Sequence, residues 1–159
     1  MSIDSIAGWL ADTHFSLTLQ ETLWVVPAAQ SIHILSIAVL VGSALMINLR
    51  AAGMLGASAQ AVAGRYFPWF WGALAVLLVT GSMLIAAEPR RELGTPVFWW
   101  KMGLLVAGLI AMLYLRSALA NRPENESGDA PNRRGAALMA LSIWVAVIVC
   151  GRWIAYSAY

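Results

Sequence analysis

The sequence has few charged residues, one cysteine and two histidines. Charged residues make up 11% of its 159 positions, whereas a soluble domain carries about a quarter. Cys150 is the single cysteine, which excludes an intrachain disulfide and a cluster of thiolate ligands. The formal net charge of +2 is too small to indicate a nucleic-acid partner. These absences argue against a soluble domain and against a nucleic-acid-binding protein.

Hydrophobic residues dominate instead, at 60% of the chain, with a mean hydropathy of +0.73. A membrane-crossing helix needs about 20 mainly apolar residues, and four stretches are long enough. We predict an all-α, integral membrane four-helix bundle that forms one domain over residues 1–159 and has the lipid bilayer as a partner. The predicted spans cover residues 23–49, 66–87, 97–119 and 135–156.

The segments outside the spans are expected to be short. Residues 2–20 are amphipathic, and Ser2 or Asp4 could cap a helix there, so we predict an interfacial helix that lies on the bilayer surface. The alternative is a frayed terminus. Pro68 is expected in the first turn of the second span, and residues 88–96 are expected to form a short, charge-balanced loop.

The arginines predict the orientation of the bundle. Cytoplasmic loops of membrane proteins carry an excess of basic residues. The second loop holds only two arginines, and the first 20 residues hold no basic residue. We therefore expect both termini outside, with the first and third loops in the cytoplasm. The arginines in and beside those two loops are Arg50, Arg65, Arg116, Arg122, Arg133 and Arg134.

Polar residues inside the first span mark a candidate site. His33 is the only histidine in an apolar stretch, and at 3.6 residues per turn it shares a broad face with Gln30, Ser36 and Ser43. Lipid offers these groups no hydrogen-bond partner. We expect this face to look into the protein interior.

Two cations lie at a depth similar to that of His33. Lys101 is about one turn into the third span, and Arg152 is about one turn from the end of the fourth. A cation in a span is costly unless it reaches the headgroups or finds an anion. Either both side chains extend to the headgroup region, or they line an outward-facing pocket with His33 for an anionic group.

Three short motifs resemble a group of bacterial inner-membrane families. They are His33-Ile-Leu-Ser-Ile-Ala-Val-Leu-Val-Gly42 with Leu49-Arg50, then Thr80-Gly81, then Trp100-Lys101-Met-Gly-Leu-Leu. They are similar to uncharacterised four-helix proteins and, more distantly, to CopD-type copper-resistance proteins and HemJ-type protoporphyrinogen oxidases. The resemblance implies a four-helix bundle in which His33 matches a haem-ligand histidine and Lys101 a lysine of the HemJ type. The HemJ pattern places another histidine further along the third span, where this chain reads Met112-Leu-Tyr-Leu-Arg116.

The residues themselves allow several ligands at His33. Haem b needs an axial nitrogen, an apolar slot and cations for its propionates, which His33, the helix faces, Lys101 and Arg152 could supply. The sixth position could be taken by His14, by Met102, by the His33 of a second subunit, or stay open. Copper is an alternative cofactor, with His33 and Met102 as ligands. In a purely structural role, His33 would hydrogen-bond Gln30 or Ser36.

Two functional hypotheses follow. The first is a haem b protein of the bacterial inner membrane that acts in electron transfer or an oxidase-like reaction near the outer face, with quinol or a porphyrin as partner. The second is a non-catalytic membrane subunit or small transporter without haem. Small-residue faces on the helices make a homo-oligomer plausible in either case.

Overall fold

The computed structural model describes the backbone of residues 3–54, 59–120 and 131–156 and the side chains of residues 5–54, 61–119 and 134–153. All regular structure in these ranges is α-helical. This confirms the all-α prediction. The helices are α1 (Ile3–Ala11), α2 (His14–Glu21), α3 (Val25–Ala51), α4 (Ala59–Ala87), α5 (Pro89–Leu93), α6 (Pro96–Ala120) and α7 (Pro131–Tyr156).

Four of these helices are long and apolar enough to cross a membrane. The candidate spans are Val25–Ala51, Ala61–Ala87, Pro96–Leu119 and Arg134–Trp153, of 27, 27, 24 and 20 residues. At 1.5 Å per residue, even the shortest is about 30 Å long, the thickness of a bilayer core. The number and order of the predicted spans are confirmed, and the chain is a multi-pass membrane protein.

Helix α4 begins earlier than the sequence analysis predicted. It starts at Ala59, about two turns before residue 66, because the small residues that precede the aromatic cluster are good helix formers and Val62 is buried. Pro68 therefore lies inside the helix, and its placement in the first turn was wrong. Since proline has no N–H, the carbonyl of Gly64 receives no bond from position 68.

The N-terminal segment is helical, which contradicts a frayed terminus. It forms two short helices rather than one, because the Thr13 hydroxyl accepts a bond from the Ser16 N–H (3.3 Å) and caps the start of α2. Ile6 and Trp9 of α1 and Phe15 of α2 are exposed apolar side chains, as expected at a bilayer surface. The predicted cap Ser2 lies outside the described residues.

Helix α2 packs against the end of α4. The last carbonyls of a helix have no partner within it, and α2 supplies donors for two of them. The Ser16 hydroxyl donates to the carbonyl of Ala86 (2.7 Å), and the Gln20 amide donates to that of Ala87 (2.9 Å). Ser16 is fully buried at this contact. The N-terminal helices are thereby fixed to one end of the bundle.

The second connection also contains a helix. Where a loop was expected over residues 88–96, Pro89 starts the short helix α5, a position that suits a residue without an N–H. Helix α5 contacts α1, so these two helices and α2 form one layer across this end. The third connection, expected over residues 121–134, lies mostly outside the described residues.

The four spans form two antiparallel hairpins. Helix α3 packs along α4 and α6 along α7, and the contact between α3 and α7 joins the two pairs. The main hydrophobic core lies in the half of the bundle far from α1 and α2. Its most buried members include Leu40, Ile47, Phe70, Met112 and Trp144.

Gly108 is the point of closest approach between α6 and α7. A Cβ atom at this position would lie 3.2 Å from Cζ2 of Trp144 and 3.3 Å from its Cε2. Trp144 is 3% exposed and its ring packs edge-to-face on Phe70, with centroids 5.6 Å apart. The indole therefore has little room to move, and α6 needs a glycine here.

We predict that Gly108→Ala destabilises the bundle and that Gly103→Ala, one turn and a half away on α6, stabilises it. Overpacking costs about 1–3 kcal/mol, whereas replacing an exposed helical glycine with alanine gains about 0.5–1 kcal/mol. Nothing lies within 4 Å of a Cβ at Gly103. Thermal unfolding in detergent should give a lower Tm for G108A and a higher one for G103A. A G108A variant as stable as G103A would show that α6 and α7 are not this close.

Candidate functional site

The candidate site begins with a hydrogen bond between two membrane-spanning helices. Nδ1 of His33, on α3, lies 2.7 Å from Oγ1 of Thr80, on α4. Thr80 is buried and His33 is half-buried. The bond joins residues 47 positions apart, at a similar depth in the antiparallel hairpin. The imidazole is therefore held by α4 and not by its own helix.

The other bond of Thr80 decides which nitrogen of His33 carries the proton. The Thr80 hydroxyl donates its single hydrogen to the carbonyl of Val76, 2.8 Å away. Its oxygen can then only accept a bond from His33, so Nδ1 of the imidazole is the protonated nitrogen. In a neutral imidazole this leaves a lone pair on Nε2. Thr80 thus fixes both the tautomer and the orientation of the ring.

The backbone of α4 lies against the edge of this imidazole. A Cβ at Gly81 would lie 3.5 Å from Cε1 of His33, the carbon between the two ring nitrogens. This is ordinary van der Waals contact, so the glycine lies directly beside the ring. The motif Thr80-Gly81 therefore contributes to the site twice, through a hydroxyl and through a position without a side chain.

Lys101 lies close enough to interact electrostatically with His33. Its side chain extends across the bundle to α7, where a Cβ at Gly151 would lie 3.7 Å from Cε and 3.9 Å from Nζ. The ammonium also interacts electrostatically with Glu92 of α5 and with Cys150 of α7. Among the described residues, the one salt bridge joins Arg91 to Glu88 (2.6 Å). Lys101 is a half-buried cation that could pair with an anion from outside the chain.

These contacts and the contact at Gly108 follow one pattern. Seven residues are nearly two full turns of a helix, so residues seven apart share a face. Lys101 faces Gly151 at one level, and Gly108 faces Trp144 at the level seven residues away on both helices. The His33 site therefore lies about two turns from the tightly packed core.

The structure distributes the other predicted site residues differently. Ser36 is buried one turn from His33, as expected. Gln30 is exposed, so its predicted place on the inward face was wrong, because the buried line along α3 passes through Ala29 instead. Neither residue bonds His33, and the expected structural partners were thus replaced by Thr80. Arg152 is exposed, about 100° around α7 from Gly151.

The predicted additional ligands lie apart from this arrangement or beside it. His14 is exposed on α2, two residues and therefore about 200° from Ser16, which faces α4. Its Nδ1 lies 3.3 Å from the Thr18 hydroxyl. Met102 is half-buried next to Lys101. Within the described ranges, no three His, Cys, Asp or Glu side chains form a group that could hold a metal ion.

Comparison with known proteins gives a family but no activity. The family model DUF6644, described as a family of unknown function, matches residues 9–157. The chain belongs to this family. The match includes all four spans, His33, Thr80 and Lys101. The expectation of an uncharacterised family is confirmed. No curated protein and no solved structure matches the sequence.

We predict that Thr80→Val destabilises the protein and that Thr80→Ser does not. Valine has nearly the shape of threonine but leaves the His33 N–H without an acceptor, which costs about 1–3 kcal/mol for a buried group. Serine keeps the hydroxyl. Thermal unfolding in detergent should show a lower Tm for T80V only. Equal stability of the two variants would show that the hydrogen bond contributes nothing to the bundle.

Proposed function

We propose that this protein binds a b-type haem through Nε2 of His33 and acts in electron transfer or an oxidase-like reaction within the membrane. The observation that carries the proposal is the pair of bonds at Thr80. They hold Nδ1 of His33 as a donor and leave the Nε2 lone pair for an iron. Histidines that bind metals commonly donate their other N–H to a fixed acceptor in this way.

The chemistry of the remaining groups fits one haem. Lys101 provides a positive charge near His33, suited to a propionate carboxylate, and Gly81 leaves the ring edge uncovered by a side chain. Bound haem would supply one-electron redox chemistry. The chain itself orients the imidazole, through Thr80, and places a cation beside it. With His14 exposed on another face, the donor set supports a single axial histidine from the bundle.

We place the protein in the bacterial inner membrane with both termini outside, on the arginine distribution and on the resemblance to CopD-type and HemJ-type proteins. The layer formed by α1, α2 and α5 would then lie at the outer surface, with His33 and Lys101 beneath it. A membrane-soluble donor such as quinol would suit a site at this depth. HemJ-type porphyrin oxidation is less well supported, because the third span lacks that family's further histidine.

The alternative is a non-catalytic membrane subunit in which His33 only ties α3 to α4. The same hydrogen bond supports it, since an interhelical bond between polar side chains also stabilises membrane bundles. The two functions differ in what they require of Nε2. Only haem binding needs its lone pair.

The test is a reduced-minus-oxidised absorption spectrum of protein purified from haem-sufficient cells. We expect a Soret band and sharp reduced bands in the wild type, their loss in His33→Ala, and their retention in His14→Ala, the matched control at the other histidine. A colourless wild type would contradict haem binding. In that case, a His33→Gln variant as stable as the wild type would favour the structural alternative.

A further inference from the structure

The tightly packed half of the bundle contains buried polar atoms without partners. Among the described residues, Oδ1 of Asn48 and the Nε1 atoms of Trp71 and Trp144 are buried and make no hydrogen bond. Asn48 is 0% exposed and Trp144 is 3% exposed. An unpaired polar group is costly in a protein core and finds no partner in lipid. The occurrence of three such groups in one half of the bundle needs a physical explanation.

The orientation of the Asn48 amide is fixed by its neighbours. Nδ2 donates to the carbonyl of Ala44 (2.7 Å) and lies 3.5 Å from Sδ of Met112 on α6. The Ala44 carbonyl can only accept, so the nitrogen must face it. The unpaired Oδ1 atom is therefore an acceptor inside the core.

The two indoles extend toward the level of this acceptor. Side chains on a helix tilt toward its N terminus, and α4 and α7 run opposite to α3. Asn48 extends back toward Ala44, while Trp71 and Trp144 extend in the reverse direction. Phe70 lies edge-to-face with both indoles, at centroid distances of 5.4 and 5.6 Å. Trp144 and Met112, the neighbour of Asn48, belong to the same core cluster.

The unpaired groups differ in chemistry in a way that selects the ligand. An indole N–H can only donate and the Asn48 oxygen can only accept. An anion would be repelled by the amide oxygen, and a cation by the indole N–H groups. A neutral molecule that both accepts and donates satisfies them together, and internal waters in proteins occupy polar sites of this kind.

We propose that Asn48, Trp71 and Trp144 form a binding site for internal water in the packed half of the bundle. The water accepts hydrogen bonds from the indole N–H groups and donates one to Oδ1 of Asn48. This site is separate from His33, which lies about two turns from the level of Trp144. It therefore does not depend on whether His33 binds haem.

Radiolytic labelling with hydroxyl radicals in H₂¹⁸O tests the proposal. Radicals formed from a bound water oxidise the side chains beside it, and Met112 is a reactive reporter that is 0% exposed. We expect Met112 to be oxidised in the wild-type protein. After a brief transfer into H₂¹⁸O, it should incorporate ¹⁸O more slowly than Met54, which is 62% exposed, because a buried water exchanges slowly.

Two variants remove the groups that hold the water. Asn48→Leu and Trp144→Phe should each lower the labelling of Met112 several-fold, while Met46 and Met83, both half-buried, keep their labelling. A general loss of structure would instead raise the labelling of all three methionines, so Trp71→Phe replaces a variant that shows this pattern. An unlabelled Met112 in the wild type would overturn the proposal. So would Met112 labelling that stays unchanged in folded variants at Asn48 and the two tryptophans.

Discussion

A histidine in a membrane-spanning helix must find its hydrogen-bond partner within the protein, and the account of this site depends on that constraint. Lipid cannot satisfy the imidazole N–H, and α3 leaves Gln30 on the outside of the bundle. The partner is Thr80, whose own hydrogen is used by Val76. One bond therefore aligns α3 with α4, orients the imidazole and determines which nitrogen is free. The site and the packing of the first hairpin have the same physical cause.

The bundle divides into two halves with different packing. Away from the N terminus, large side chains such as Ile47, Phe70 and Trp144 fill the interior, and Gly108 brings α6 against α7. Around His33 the same helices present small or polar groups, with Gly81 and Gly151 at the contacts with His33 and Lys101. The packed half stabilises the bundle, while the other half leaves chemically active groups without bulky neighbours. Such a division is expected where a scaffold supports a site.

The sequence predicted the four spans because hydropathy and length alone identify them. It also singled out His33 and Lys101, since polar groups in apolar stretches are conspicuous. The start of α4 was missed because propensity extends a helix beyond its apolar part, and Pro68 interrupts the pattern without ending the helix. Gln30 was misplaced because a helical face about 160° wide includes positions that the neighbouring helices do not reach.

The partner of His33 could have been found by comparing depths in the sequence. In an antiparallel hairpin, residues equally far from the connection lie side by side, and Thr80 is the polar residue of the second span nearest to that depth. The contacts of Lys101 with α7 and its interactions with Glu92 and Cys150 could not, because they depend on how the two hairpins pack together. Pattern analysis assigns residues to faces of one helix. It does not determine which faces of different hairpins meet.

The most direct test of the central claim is the tautomer of His33 in haem-free protein. Nitrogen NMR of ¹⁵N-histidine-labelled protein in detergent should show two imidazoles, which a His14→Gln variant assigns. We expect His33 to carry its proton on Nδ1 with Nε2 unprotonated, and we expect Thr80→Val to abolish this preference. A proton on Nε2 in the wild type would contradict the account, because that nitrogen would then have no lone pair for a ligand.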